Sequence, residues 1–427
     1  MCAIGMGGSV PETLAHVTRA LRHEAPATRV TQIDLQAFHL RAPGTMPVPD
    51  GVHGIRLTPG DVGYRTPTRS MTVNLALSGG RLAHRRMIAA ARRTLADLRA
   101  DILLCCHDRF YIETAFIAAA RQLGIPTVFL QEGPFCVIGH DRATAPGLRL
   151  KYALAPMARA LGLTPGMPDY GLAGHDRICA ASEPYKHAWI DRGVPGDRVR
   201  VTGVPRYDPL LEARERRRQR APGRAGARPT VLVVTQPFGA HGKVDPSAAE
   251  RAMAATGTAL DRLAQTREVD IRIRRHPRAG ADDMDALMRE ISGEATIEIP
   301  DRPFPARAVD VDLVVGFYSS AVLEALAIGV PSVCCRLPSD AFAEPGEAAK
   351  QDRLAELGVP MIGAPDALVT AMQAGLEDPE QTPPPSNASA ELGPVDGRAG
   401  TRAARTILEI IGGEASTATG RAAHGGA

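Results

Sequence analysis

Two rhythms of apolar residues alternate along this chain and divide it into strands and helices. A short apolar stretch at residues 3–4 leads through Gly5, Met6, Gly7, Gly8 and Ser9 into Val10, Leu14, Val17 and Leu21, which recur at helical period. Ser9 and Glu12 stand at capping-box spacing, so the helix is expected to open there. Residues 30–35 read as the next strand, and the Pro- and Gly-rich stretch 41–68 as a long loop. An Arg-studded amphipathic helix over 82–99, a buried strand over 101–106, a helix over 111–123 and a strand over 126–131 follow. After a second irregular segment the pattern resumes with strand 177–181, helix 183–192 and strand 199–202. Strands separated by helices in this way build a parallel sheet covered on both faces.

The rhythm breaks between 211 and 229, where a charge run is followed by Ala, Pro, Gly and Arg. That composition predicts a solvated helix end and a flexible linker. Beyond it the alternation returns, with strands 231–235, 270–274, 296–299, 311–315 and 332–335 and helices 247–263, 282–291 and 320–328. The chain is therefore expected to hold two Rossmann-like α/β domains, 1–210 and 230–376, joined by the linker 211–229. A Pro/Ala/Gly-rich tail, 377–427, is expected to carry one short helix at 402–411 and to end in about fifteen disordered residues. Two such domains predict a cleft, with ligands outside the carboxyl ends of the strands.

Composition narrows the class of protein. The 427 residues are 44% hydrophobic and 23% charged, which is the balance of a globular protein too long for one core. Fifty basic against 47 acidic residues give a net charge of +3, which argues against a protein that coats nucleic acid. Only Lys151, Lys186, Lys243 and Lys350 among those 50 are lysine, so 46 are arginine, the imprint of a GC-rich genome. Helix 82–99 and the charge run read first as solvated faces, with contact to an anionic membrane surface, or for the charge run to an acidic acceptor, as the functional alternative. The seven cysteines (2, 105, 106, 136, 179, 334 and 335) form no Cys-x-x-Cys pair and lie mostly in apolar runs, which predicts neither disulfides nor a zinc site. With no apolar run of the ~18–20 residues that span a bilayer and no export signal in the first residues, the expected location is the cytoplasm. It would be peripheral to the inner face of the membrane if helix 82–99 rests there.

Candidate chemistry clusters where strands end. At Gly316 a buried strand turns through Ser319 and Ser320 into a helix whose free N–H groups and positive dipole end suit an anion. Glu324 lies one turn on from Ser320 in an otherwise apolar helix, where a carboxylate must find a partner, either ligand hydroxyls or a nearby arginine. Strand 270–274 ends at His276 before a proline, among Arg274, Arg275 and Arg278, a set that suits phosphate, although His276 can equally cap a loop. His241 and Lys243 follow the first strand of the second half in a small-residue loop open to a ligand. In the first half Gly7, Gly8 and Ser9 form a tight turn that admits an acceptor, but the full GxGxxG pattern of a dinucleotide site is missing. Glu132 is the first candidate for a general base, with His107 and Asp108 as neighbouring alternatives; each can instead bond loop backbone. The Asp310-Val-Asp312 pair opens an apolar strand, so no metal is expected there, and no GxSxG or GxxxxGK[ST] motif occurs.

Val201-Thr-Gly-Val-Pro-Arg-Tyr-Asp208 resembles the "TG-x-P-x-x-D" segment of the GT-B superfamily. Arg275-His276-Pro277 and the stretch from Ser319 through Glu324 to Gly329 and Pro331 resemble the donor-binding segments of its second domain. The superfamily includes nucleotide-sugar glycosyltransferases, polymerases of glycerol-phosphate and capsule type, and non-hydrolysing UDP-N-acetylglucosamine 2-epimerases. The resemblance implies two Rossmann-like domains facing each other across a cleft, and an inverting, metal-independent transferase. Its nucleotide-sugar donor would be held by Glu324 at the ribose and by Ser319, Ser320 and His276 at the diphosphate. Glu132 would then act as base toward an acceptor such as a glycan, a lipid-linked saccharide or a natural product. Epimerases carry "H-x-E-A-G" where this chain has Leu130-Gln-Glu-Gly-Pro, and glycerol-phosphate polymerases a His-Gly pair where Glu132-Gly133 stands; both departures favour a glycosyltransferase. Epimerase, glycerol-phosphate or capsule-type transferase, and a non-enzymatic two-lobed binding protein are the alternatives.

Overall fold

A computed structural model of the chain describes residues 1–6, 10–40, 44–68, 70–135, 146–220, 228–238, 242–276, 284–298, 304–343, 345–378 and 385–423. They form two compact units. Met1–Val137, Tyr152–Asp208 and Arg398–Ala427 make the first, and Ile138–Lys151 with Pro209–Gly397 the second.

The first unit begins with β1 (Cys2–Gly5), α1 (Val10–Glu24), β2 (Thr31–Asp34) and β3 (His53–Arg56). Next come α2 (Met71–Leu77), α3 (Arg81–Asp97), β4 (Leu103–Cys105), α4 (Tyr111–Leu123) and β5 (Thr127–Leu130). Then follow α5 (Pro146–Ala160), which belongs to this unit from Tyr152 onward, β6 (Arg177–Ala180), α6 (Glu183–Ile190) and β7 (Val199–Val201). All seven strands are parallel, in the order β3-β2-β1-β4-β5-β6-β7. The stretch 41–68, expected as a loop, contains β3. That strand pairs only with β2 at the sheet edge and exposes His53, Gly54 and Arg56, so no buried face imposes an apolar alternation on it. Helix α5 likewise falls in a segment read as irregular, and its internal Pro156 hides the helical signal.

The second unit starts with α7 (Leu210–Gln219), β8 (Thr230–Val234), α8 (Pro246–Thr266), β9 (Asp270–Arg274), α9 (Asp285–Arg289) and β10 (Ala295–Glu298). It continues with α10 (Phe304–Ala308), β11 (Leu313–Gly316), α11 (Ser320–Ala327), β12 (Ser332–Cys335) and α12 (Pro345–Glu356). Last are β13 (Met361–Ile362), α13 (Pro365–Glu377) and α14 (Pro385–Leu392). Its six strands are also parallel, in the order β10-β9-β8-β11-β12-β13.

Two expectations about the joints change. The charge run is not simply solvated. Within α7, Arg217 donates to the carbonyls of Val309 (3.2 Å) and Val311 (2.6 Å), and Arg220 after it pairs with Asp312 at 3.2 Å. These arginines fasten α7 to the entry of β11, so the helix belongs to the second unit. Asp312 also accepts from Thr230 N, which occupies the carboxylate of the Asp-x-Asp pair.

The C-terminal segment is likewise no tail with one short helix, because α15 (Ala399–Ala423) returns to the first unit and packs on α1. Ala403, Ala404 and Ile407 enter the core beside Leu14, Val17 and Leu21. Asp208 accepts from Ala399 N (2.8 Å) and Gly400 N (2.9 Å), and Arg402 donates to Thr202 O (2.7 Å). The Thr202–Asp208 motif is thus the seat on which α15 starts.

In both sheets the strand order reverses beside the first strand of the unit, at β1 between β2 and β4 and at β8 between β9 and β11. Helices leaving such neighbours go to opposite faces and open a crevice at the carboxyl ends, which is where α/β sheets take ligands.

Candidate functional site

At the crevice of the first unit, β4 and β5 run level, with Cys105 opposite Phe129, so the residues just beyond them meet. His107 Nε2 lies 3.1 Å from Glu132 Oε1, with 27% of the imidazole and 13% of the carboxylate side chain exposed. Burial lowers the affinity of His107 for a proton, but the Glu132 carboxylate more than reverses this and lifts its pKa to about 9. The ring is therefore a cation at neutral pH. Glu132 is held from behind as well, since Arg206 Nε donates to its main-chain oxygen at 2.9 Å. The Arg206 guanidinium lies 4.2 Å from the centre of the Tyr207 ring and contacts the Tyr207 hydroxyl. Burial raises the pKa of Glu12, on α1, and Arg206 opposes that rise. Behind His107, burial pushes the Glu113 carboxyl up to about 7, and its Oε2 accepts from Phe110 N at the start of α4.

Asp108 does not join this group. It is fully buried and accepts from Gly171 N (3.0 Å), Ala173 N (3.1 Å) and His175 Nε2 (3.3 Å), so its carboxylate ties down the 171–175 loop. Gly7, Gly8 and Ser9 lie outside the described residues. Sequence reasoning passed over Arg206 and Glu113. Arg206 stands inside the quoted Thr-Gly-Val-Pro-Arg-Tyr-Asp segment, and Glu113 at the third position of a helix, so both had a readable signal.

At the crevice of the second unit, β8 is flanked by the ends of β9 and β11, with Val234 opposite Arg274. Gly316 closes β11 where a Cβ would come within 2.8 Å of Val234 and 3.0 Å of Val322, so only glycine lets α11 start this close to the sheet. Ser319 caps α11 and its Oγ accepts from Ala321 N at 3.3 Å; Ser320 is the first helical residue. Glu324 is buried one turn on, at 5% exposure. His276 donates its N–H to Thr235 Oγ1 at 3.1 Å, and Thr235 N donates to the Arg274 carbonyl at 3.2 Å, which locks the ends of β8 and β9 together. Arg274, Arg275 and His276 are all partly exposed there.

The loop after β8 differs from expectation at one residue. Lys243 forms an ion pair with Glu347 Oε1 at 2.5 Å, and Lys350 takes the other oxygen at 2.7 Å. Burial works against the charge on Glu347, but Lys350 and Lys243 hold its pKa below the usual carboxylate range. Lys243 is committed within the fold. Near it Phe238 meets Phe317, and Tyr318 meets Phe342, edge-on, and burial raises the Tyr318 phenol. His241 and Arg278 lie outside the described residues. Among the described residues no group of three or more His, Cys, Asp or Glu stands ready for a metal ion, and six cysteines are buried and free.

Residues 212–336 match the family model of alpha-2,8-polysialyltransferase (POLYST). Among curated proteins none matches the chain. Among solved structures, a UDP-N-acetylglucosamine 2-epimerase from Listeria monocytogenes superposes with a TM-score of 0.57 at 16% identity, over 96% of this chain and 95% of that one. The UDP-GlcNAc 2-epimerase from Neisseria meningitidis, bound to UDP-GlcNAc, gives 0.55 at 17%, over 96% and 100%. The wall teichoic acid polymerase TagF, soaked with CDPG, gives 0.54 at 11%, over 97% and 89%. At such identities the likeness establishes the fold. The chain shares the two-sheet α/β architecture of these enzymes, and part of its second unit is similar to a polysialyltransferase family.

Proposed function

We propose that the chain transfers a sugar from a nucleotide-diphosphate donor, bound by the second unit, to an acceptor hydroxyl activated by Glu132 of the first. The pairing of His107 with Glu132 carries this reading. A histidine with a pKa near 9 is already protonated at neutral pH and cannot take a further proton, whereas the carboxylate beside it can. The hydroxyl oxygen attacks the anomeric carbon, its proton passes to Glu132, and the bond to the nucleotide phosphate breaks, which inverts the centre. The departing phosphate gathers charge that the N–H groups of α11, the Ser319 and Ser320 hydroxyls, His276 and Arg274 are placed to receive. These donors do the work of a metal ion, so none is required. Glu324 takes the ribose hydroxyls. The polysialyltransferase match over 212–336 favours polysaccharide synthesis, and the six buried free thiols suit a reducing cytoplasm.

Glu132→Gln tests the assignment: turnover should fall by orders of magnitude with nucleotide binding unchanged, and turnover near that of the parent removes Glu132 from the role. A thermal-shift screen across UDP-, GDP-, CDP- and dTDP-sugars should identify the donor, because a ligand at about 100 times its Kd stabilises by about 2.7 kcal/mol. Epimerisation is the second reading, favoured by full-length superposition on two epimerases. Incubation with UDP-GlcNAc and no acceptor distinguishes the two, since only an epimerase returns an altered free donor.

A further inference from the structure

Large apolar side chains exposed on this protein are not scattered. Among the described residues seven of the nine, Val73, Leu77, Leu82, Leu154, Met157, Leu161 and Leu163, belong to α2, the start of α3, and α5 with the turn after it. These elements meet: Arg81 N donates to Gly162 O at 3.2 Å, and the Arg81 guanidinium to Arg159 O at 2.7 Å. Leu82 and Leu161, 60% and 66% exposed, therefore stand on either side of one joint. Leu154 and Met157 on α5 and Leu161 just after it follow i, i+3, i+7 spacing and form one exposed stripe. Scattered exposed leucines need no explanation, but a contiguous group of this size does.

Charge lies along the same face. Leu82, Arg85, Ala89, Arg93 and Ala96 share one side of α3, opposite the buried Met87, Ala91 and Leu95. Arg85, Arg92 and Arg93 line a shallow groove of about 520 Å³ between α3 and Gln122 of α4. Among the described residues these three arginines form no ion pair or hydrogen bond, and Asp97 is the one acidic residue of α3. Apolar side chains beside unneutralised guanidinium groups complement a surface that is negative outside and hydrocarbon beneath.

We propose that this face of the first unit docks on an anionic lipid bilayer, with the Leu77, Leu82, Leu161 and Leu163 side chains entering the acyl boundary and Arg85, Arg92 and Arg93 meeting the headgroup phosphates. Among the described residues no helix is long and apolar enough to cross a membrane, so the contact is peripheral. It would hold the enzyme where a lipid-linked acceptor lies.

Co-sedimentation of the full chain with phosphatidylcholine vesicles, with and without phosphatidylglycerol as the anionic lipid, tests this. Binding should need the anionic lipid and weaken as salt rises. Arg85→Glu/Arg92→Glu/Arg93→Glu should lower it by about a hundredfold, and Leu82→Ser/Leu161→Ser by about tenfold. All five side chains are exposed, so thermal unfolding and nucleotide binding should stay as in the parent chain. Four results overturn the proposal. They are no vesicle binding, equal binding to neutral vesicles, full binding by the leucine variant, and a dimer in light scattering that the leucine variant dissociates.

Discussion

The two crevices are built on the same plan and equipped differently. Each lies where a sheet reverses its strand order, and each collects the residues just beyond three or four strand ends. In the first unit those residues are titratable and face one another: His107 against Glu132, with Arg206 behind and Glu113 buried below. In the second they are a helix start, two serine hydroxyls and a histidine fixed through its main chain, none of which must change protonation to hold an anion. On the function proposed above, one scaffold separates proton transfer from anion binding, and substitutions on the two sides should fail in different ways.

The strongest test of that division is Glu132→Gln, for which kcat should fall by roughly 10²–10⁴ while nucleotide affinity holds. If affinity falls and turnover survives, the division is wrong. Asp108→Ala should be the most damaging to the fold, at about 3 kcal/mol in chemical denaturation, because three donors, two of them buried, lose their acceptor. Turnover per folded molecule should stay near that of the parent; a specific loss would return Asp108 to the chemistry. On the other side, Glu324→Gln should weaken nucleotide binding by ~1–3 kcal/mol in calorimetry, with the catalytic pH profile unmoved.

The smallest effect is a matter of pH. His107 binds its proton more tightly folded than unfolded, so its contribution to stability is complete below pH 6.5 and is lost as pH rises through about 9. Glu113, raised from 4.5 to about 7 by burial, loses its contribution in the same direction but between those lower values. Unfolding free energy measured from pH 7 to 9 should therefore decline in the parent chain and decline less in His107→Gln. An identical slope in both would show that the imidazole is not paired as described.

The sequence disclosed the sheets well because buried parallel strands such as Thr230–Val234 and Leu313–Gly316 are almost wholly apolar. It concealed β3, whose side chains face water, and α15, whose partner α1 lies nearly 390 positions away. Candidate residues at strand ends were legible for a similar reason, since topology alone brings His107 and Glu132, or Arg274 and His276, to one edge. What each polar group does there was less legible. Asp108 and Lys243 have the chemistry of ligand-binding residues, and both are occupied by partners far along the chain, a backbone loop at 171–175 and Glu347.

The return of α15 sets a condition on how the protein is made. A ribosome releases residues 1–208 long before it releases the helix that covers Leu14, Val17 and Leu21. Until that helix is made, the first unit carries an open apolar flank, whereas the second has its whole sequence by Gly397 and can mature earlier. The order of completion is thus the reverse of the order of translation. Any chain stopped short of Ala399 would hold a finished second unit attached to a sticky, unfinished first one.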